Sequence, residues 1–131
     1  MLKTVRVICA AAICAAPLLA AGGALAHHSF AMFDTTKQVS VQGVVKQFTW
    51  ANPHVWLDVV VTDDKGQAQT WGLESLAVGL LYRDGWTADS LKPGDKVTVL
   101  LHPMRDGTNG GQLMKVTLPD GRVLNSGAGR P

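Results

Sequence analysis

Val39-Ser40-Val41-Gln42-Gly43-Val44-Val45-Lys46-Gln47-Phe48-Thr49-Trp50 is the stretch on which the fold turns. Apolar and polar residues alternate along it, as they do in a strand buried on one face. Val39 and Val41 lie on odd positions, whereas Val44, Phe48 and Trp50 lie on even ones. A change of phase across a glycine is what a β-bulge produces, so the stretch predicts one long strand bent at Gly43. A strand that bends in this way turns a corner in a small barrel.

Beyond it, Asn52-Pro53 marks a turn, and His54 to Thr62 reads as a second strand. There Val55, Leu57, Val59 and Val61 share one face, and His54, Trp56 and Asp58 the other. Asp63-Asp64-Lys65-Gly66 predicts a hairpin turn, returning as a third strand from Gln67 to Leu73. The period then changes. Leu76 with Leu80 and Ala77 with Leu81 stand four apart, which predicts a short helix over Ser75–Tyr82 with Ser75 as its N-cap. Lys92-Pro93-Gly94-Asp95 turns into a fourth strand, Lys96 to His102, with Val97, Val99 and Leu101 inward and His102 on the opposite phase. Gln112 to Leu118 is the fifth, and Arg122 to Leu124 a last short extended piece. Three strands, a helix and two strands is the order of a five-stranded OB-like Greek-key barrel, mainly β with one short helix. The competing arrangement is an open meander sheet carrying one helix.

The 131 residues suit one domain. Lys3 and Arg6 precede the uncharged run Val7–Ala21, and Ala24-Leu25-Ala26 offers small residues at the positions a signal peptidase reads. Residues 1–26 are therefore expected to be a secretory signal cut after Ala26. The alternative is an uncleaved anchor; the run is short for the ~20 residues a span needs and is broken by Pro17, Gly22 and Gly23. Residues 27–38 then form a mature N-terminal segment, 39–124 the barrel domain and 125–131 a flexible tail, the whole exported to the periplasm with no membrane span left after cleavage. The formal charge of +2 leaves with the signal, since residues 27–131 hold 10 basic and 10 acidic side chains. So do Cys9 and Cys14, which removes disulfides and thiolate metal sites from consideration. Neutral charge and export argue against nucleic acid as a partner.

All four histidines remain. Cleavage makes His27 the first residue, with His28 beside it, so amine and imidazole nitrogen are offered together, a donor set that suits Cu(II). Cleavage one residue earlier places His28 third, where amine, two amides and imidazole bind Cu(II) in a plane. His54 follows Pro53 at the start of one strand, and His102 precedes Pro103 at the end of another, each off its strand's apolar phase. In an OB barrel those ends approach one rim, and Met104 adds a thioether beside it. The expected metal set is His27, His28, His54, His102 and Met104, with copper the ion. Plainer readings stand beside it: a solvated His-His pair, and turn histidines bonded to backbone. Trp50, Trp56 and Asp106 mark a candidate ligand face, against which tryptophans simply filling the core must be set. Nothing here forms a catalytic motif, so the expected role is metal binding without turnover, with copper-dependent oxidative chemistry as the lesser alternative. The alternative is a metal-free module holding a ligand or a periplasmic protein partner.

The motifs His27-His28-Ser29-Phe30-Ala31-Met32-Phe33-Asp34, Ala51-Asn52-Pro53-His54-Val55-Trp56-Leu57 and His102-Pro103-Met104-Arg105-Asp106-Gly107, with Gly85-Trp86-Thr87 and Leu91-Lys92-Pro93-Gly94-Asp95 between, resemble a family of small exported bacterial proteins of unknown function. The resemblance implies a periplasmic β-barrel domain and brings no established activity. Its motifs contain all four histidines.

Overall fold

The computed structural model describes residues 30–127. A 3-10 turn, Phe30–Met32, opens it, followed by β1 (Val39–Thr49), β2 (Trp56–Thr62), β3 (Ala68–Glu74), α1 (Val78–Arg83), β4 (Lys96–Pro103), β5 (Gly110–Thr117) and a short β6 (Val123–Asn125). The strands run β3-β2-β1-β4-β5, and β3 pairs back onto β5, so five strands close a barrel in the OB order. The helix lies between strands three and four, as expected, and the open meander is excluded by the closure. β6 adds an edge to β5.

The corner in β1 is real, but it works differently from the expected bulge at Gly43. β1 pairs with β4 from Val39 to Val44 and with β2 from Val44 to Thr49, changing partner at Val44. The register slips between Val45 and Gln47, so the extra residue is Lys46. Val41 and Val45 are buried on the odd phase, Val44 is exposed, and Phe48 and Trp50 pack on the core from the even phase. Gly43 serves close approach instead: a Cβ there would meet the Val60 carbonyl oxygen and lie 2.5 Å from Val59 Cγ1.

The barrel is filled by Val41, Val45, Leu57, Val59, Leu73, Val99, Leu101, Leu113 and Val116, with Leu81 of α1 and Trp86 at 0% exposure. Each such side chain contributes about 1.5–3 kcal/mol by leaving water. The helix is capped by a side chain from afar. Ser75 is buried and bonded to Ser126 Oγ (3.2 Å), while Asn52 Oδ1 accepts the Val78 N–H at 3.1 Å. At the other end Gly85 takes φ +88°, and the Trp86 and Gly85 N–H groups bond the Leu81 and Tyr82 carbonyls. This Schellman ending aims Trp86 into the core. The expected boundary after Leu124 shifts, because Asn125 is the last residue of β6 and Ser126 is buried with its N–H on Met114 O.

Residues 30–38 cross the outside of the barrel as a strap. Phe33 bridges to Met104, Asp34 N–H donates to Pro103 O (2.8 Å), and Arg105 donates from its backbone to Met32 O (2.9 Å) and from Nε to Ala31 O (3.1 Å). Among the described residues no helix is long and apolar enough to cross a membrane.

Candidate functional site

Residues paired across neighbouring strands point to the same face of the sheet. Leu57, Leu73 and Leu101 face the core, so Trp56, Glu74 and His102, one position along, face outward. The register places Trp56 opposite Glu74, Glu74 opposite Gln112 and Gln112 opposite His102, which forms one row across β2, β3, β5 and β4. Outward residues are normally wet, yet Glu74, Gln112 and His102 are only 6%, 7% and 8% exposed. The strap runs over this end of the barrel, with Lys37 at His102 and Phe30 at His54.

His54 stands two residues before Trp56, and its Nδ1 lies 2.6 Å from Glu74 Oε1. Its ring is edge-on to Phe30, with centroids 6.3 Å apart. His102 Nδ1 lies 2.7 Å from Lys37 O. A carbonyl only accepts, so His102 carries a hydrogen on Nδ1, and in the neutral ring this leaves the lone pair on Nε2. The Glu74 carboxylate likewise accepts a hydrogen from Nδ1 of His54. Among the described residues neither Nε2 has a hydrogen-bond partner, and neither does the buried amide of Gln112. Burying an amide without a partner costs about 1–3 kcal/mol.

Of the expected set, His27 and His28 lie outside the described residues. His54 and His102 share the outer face, separated at the backbone by Glu74 and Gln112; strand spacing puts Glu74 and His102 roughly 10 Å apart. Met104 is half-buried and pairs with Phe33. Among the described residues no three His, Cys, Asp or Glu side chains gather tightly enough to hold an ion by themselves. Trp50 is half-buried, its ring 5.9 Å from Phe48. Trp56 is exposed, and its Nε1 donates to Asp58 Oδ1 at 3.1 Å. Asp106 is engaged by Thr108, whose hydroxyl (2.7 Å) and N–H (3.0 Å) donate to it and lower its pKa. A groove of about 470 Å³ lies between Val44, Val60, Lys96, Thr98, Thr117 and Pro119, and none of the expected site residues lines it.

Glu74, Gln112 and Arg105 escaped the sequence reading. A signal for Glu74 was present: the Asp63–Gly66 turn fixes the β2–β3 register, which sets Trp56 against Glu74 and leaves His54 diagonal to it. Nothing local marks Gln112, since its neighbours arrive through the closure of the barrel.

The strap has its own electrostatic anchor. Asp34 Oδ1 accepts the Thr36 hydroxyl at 2.6 Å, and Oδ2 lies 3.1 Å from Lys37 Nζ. The Thr36 hydroxyl first, then Lys37, lower the Asp34 pKa to about 2. A carboxylate with a depressed pKa stabilises the fold above its unfolded value near ~4, and that contribution is lost as pH falls through the folded value. The Thr36 amide resonance is therefore expected to hold its native position from neutral pH to below 4 and to move only as pH approaches 2. A midpoint near 4 in an NMR titration would show the anchor absent.

A search of curated proteins finds no match. Among solved structures the chain is similar to a mitochondrial single-stranded DNA-binding protein from S. cerevisiae, Rim1, with 14% identity and a TM-score of 0.46 over 70% of this chain and 97% of that one. The likeness is one of fold. The expectation that nucleic acid is no partner is withdrawn, since the protein matched is named for binding single-stranded DNA; the likeness assigns no partner to this chain. The DUF6152 family, a family of unknown function, matches residues 16–114, which include His27, His28, His54 and His102. The chain belongs to that family.

Proposed function

We propose that this is an exported, non-catalytic metal-binding protein that takes copper through His54 and His102 on the barrel face and His27 and His28 at the processed N-terminus, with Met104 alongside. Its role is buffering or delivery in the periplasm. The observation that carries the reading is the hydrogen-bonded state of the described imidazoles. Metal-binding histidines characteristically donate the other ring N–H to a carboxylate or a backbone carbonyl. His54 does the first, to buried Glu74, and His102 the second, to Lys37 O. Both keep Nε2 for a metal.

Titration of the processed protein with Cu(II), followed by paramagnetic resonance, tests this. One ion should bind with sub-micromolar affinity and show nitrogen couplings. His54→Ala should abolish tight binding, and Glu74→Gln should weaken it about 10–100-fold, the usual cost of losing a partner that orients a ligand. Binding no tighter than micromolar, or binding unchanged after His54→Ala with His102→Ala, would overturn the reading.

A second reading, a metal-free module for a ligand or protein partner, is favoured by exposed Phe30, Met32 and Trp56, at 44%, 43% and 39%. Phe30 and Trp56 flank His54. A stoichiometric partner recovered from an envelope extract and retained in chelator would favour it.

A further inference from the structure

We propose that the exposed ring of Trp56 is the platform of a separate site, which takes a neutral saccharide on the outer face of β1, β2 and β3. This is independent of the copper reading and gives the metal-free alternative a chemical class of ligand. Trp56 faces outward from β2 and is 39% exposed, so a large apolar surface stays in water. It is nevertheless held in place. Nε1 donates to Asp58 Oδ1 at 3.1 Å, and the same edge lies against Gly72, where an added Cβ would stand 3.3 Å from Cζ2 and 3.4 Å from Nε1. The one polar atom of the indole is thus satisfied by the protein, and what the ring offers a ligand is carbon. A rigid ring loses little conformational freedom on binding, so its contact area comes at low entropic cost.

Polar groups frame the ring. The register sets Thr49 opposite Trp56 and Gln47 opposite Asp58, and both β1 side chains are exposed. Gln47 Nε2 donates to Thr49 Oγ1 at 3.2 Å, which leaves Gln47 Oε1 as an acceptor and the Thr49 hydroxyl hydrogen as a donor. Asp58 Oδ2 has no hydrogen-bond partner among the described residues. On the β3 side Gly72 has no side chain to crowd the ring. Further along, Lys46 reaches across β2 to Thr70 Oγ1 at 3.5 Å and bounds the surface.

This frame decides the class of ligand. A wholly apolar partner would cover Asp58, Gln47 and Thr49 without answering them, at about 1–3 kcal/mol for each group left unpaired. A nucleic-acid strand is held by stacking rings along a positive groove. At this ring the charges run the other way: Asp58 holds the indole and Glu74 stands opposite it on β3, with Lys46 the cation beside them. A pyranose unit has the fitting pattern. C–H groups on one face cover the indole, and hydroxyl groups around the rim donate to Asp58 Oδ2 and Gln47 Oε1 and accept from Thr49.

The test titrates the protein, in chelator, with neutral cello-, malto- and chito-oligosaccharides and with single-stranded oligothymidine. The Trp56 Nε1–H resonance reads the parent, and saturation transfer to the saccharide protons reads the variants. At least one saccharide should shift the Trp56 resonance saturably at millimolar concentration. Trp56→Ala should abolish binding of that saccharide, and Asp58→Ala should weaken it about tenfold or more, the worth of a hydrogen bond to a charged group. Circular dichroism checks that each variant keeps the fold. A saccharide bound equally well after Trp56→Ala would overturn the platform. Silence towards every saccharide would overturn the proposal, and tighter binding of oligothymidine than of any saccharide would give the ring to nucleic acid instead. With metal chelated throughout, failure here leaves the copper reading standing.

Discussion

Gly43→Ala is expected to destabilise the barrel by about 3 kcal/mol or more, at the upper end of what overpacking costs. A Cβ on residue 43 has no room: it would press on the Val60 carbonyl oxygen and lie 2.5 Å from Val59 Cγ1. Val60 is backbone in β2, paired with Val44 at the point where β1 changes partner, so relief requires the corner itself to open. Urea unfolding should show a lower midpoint with an unchanged slope. Gly79→Ala is the matched comparison. Nothing lies within 4 Å of a Cβ there and the site is an exposed helix position, so the same substitution should stabilise by about 0.5–1 kcal/mol. A Gly43→Ala protein within about 0.5 kcal/mol of the parent, the usual spread of neutral surface changes, would mean that the corner tolerates a side chain.

Trp86→Ala carries an expected cost of about 3–5 kcal/mol. The ring is completely buried, sits 6.1 Å from that of Phe48, and reaches with Nε1 to Asn125 O at 2.8 Å. Truncation leaves a cavity in the core and also releases β6, whose last carbonyl loses its donor. Trp86→Phe should cost less, because it keeps much of the buried area and loses chiefly the hydrogen bond, worth about 1 kcal/mol. The two variants separate packing from the tie to β6. If both fall equally, the Asn125 contact holds more than the ring does. If neither moves the midpoint, Trp86 is not part of the core.

The strands were legible because each buries one face, and alternation survives in Val55-Leu57-Val59 and Val97-Val99-Leu101 without help from distant residues. The corner of β1 was legible as a fact and misplaced in detail. Apolar Val44 suggested an early phase change, whereas β1 leaves it exposed and inserts Lys46 two residues later. The helix cap was misread for a related reason: Ser75 stands where a local cap belongs, but Asn52, from the turn before β2, does the capping. Of the candidate site, His54 and His102 were visible through their strand phase. Burial of His102 was not, since it depends on Lys37 crossing from the strap. Glu74 became a partner of His54 only through hairpin register, and Gln112 joined the row only through a parallel pairing between segments far apart in sequence.

That pairing has a consequence for the order in which the chain assembles. β1–β2 and β2–β3 are hairpins, whose contacts form between near neighbours. The barrel shuts through only three parallel pairs, Gly72 with Gly110, Leu73 with Gly111 and Glu74 with Gln112, across a much longer loop of chain. Contacts of high sequence separation are costly to form early, so the hairpins come first and this seam closes late. The row from Glu74 to His102 does not exist before that moment. Were an ion held above it, as proposed, the ion would bind the shut barrel in preference to the open one, and by mass action its binding would draw the last folding step towards completion.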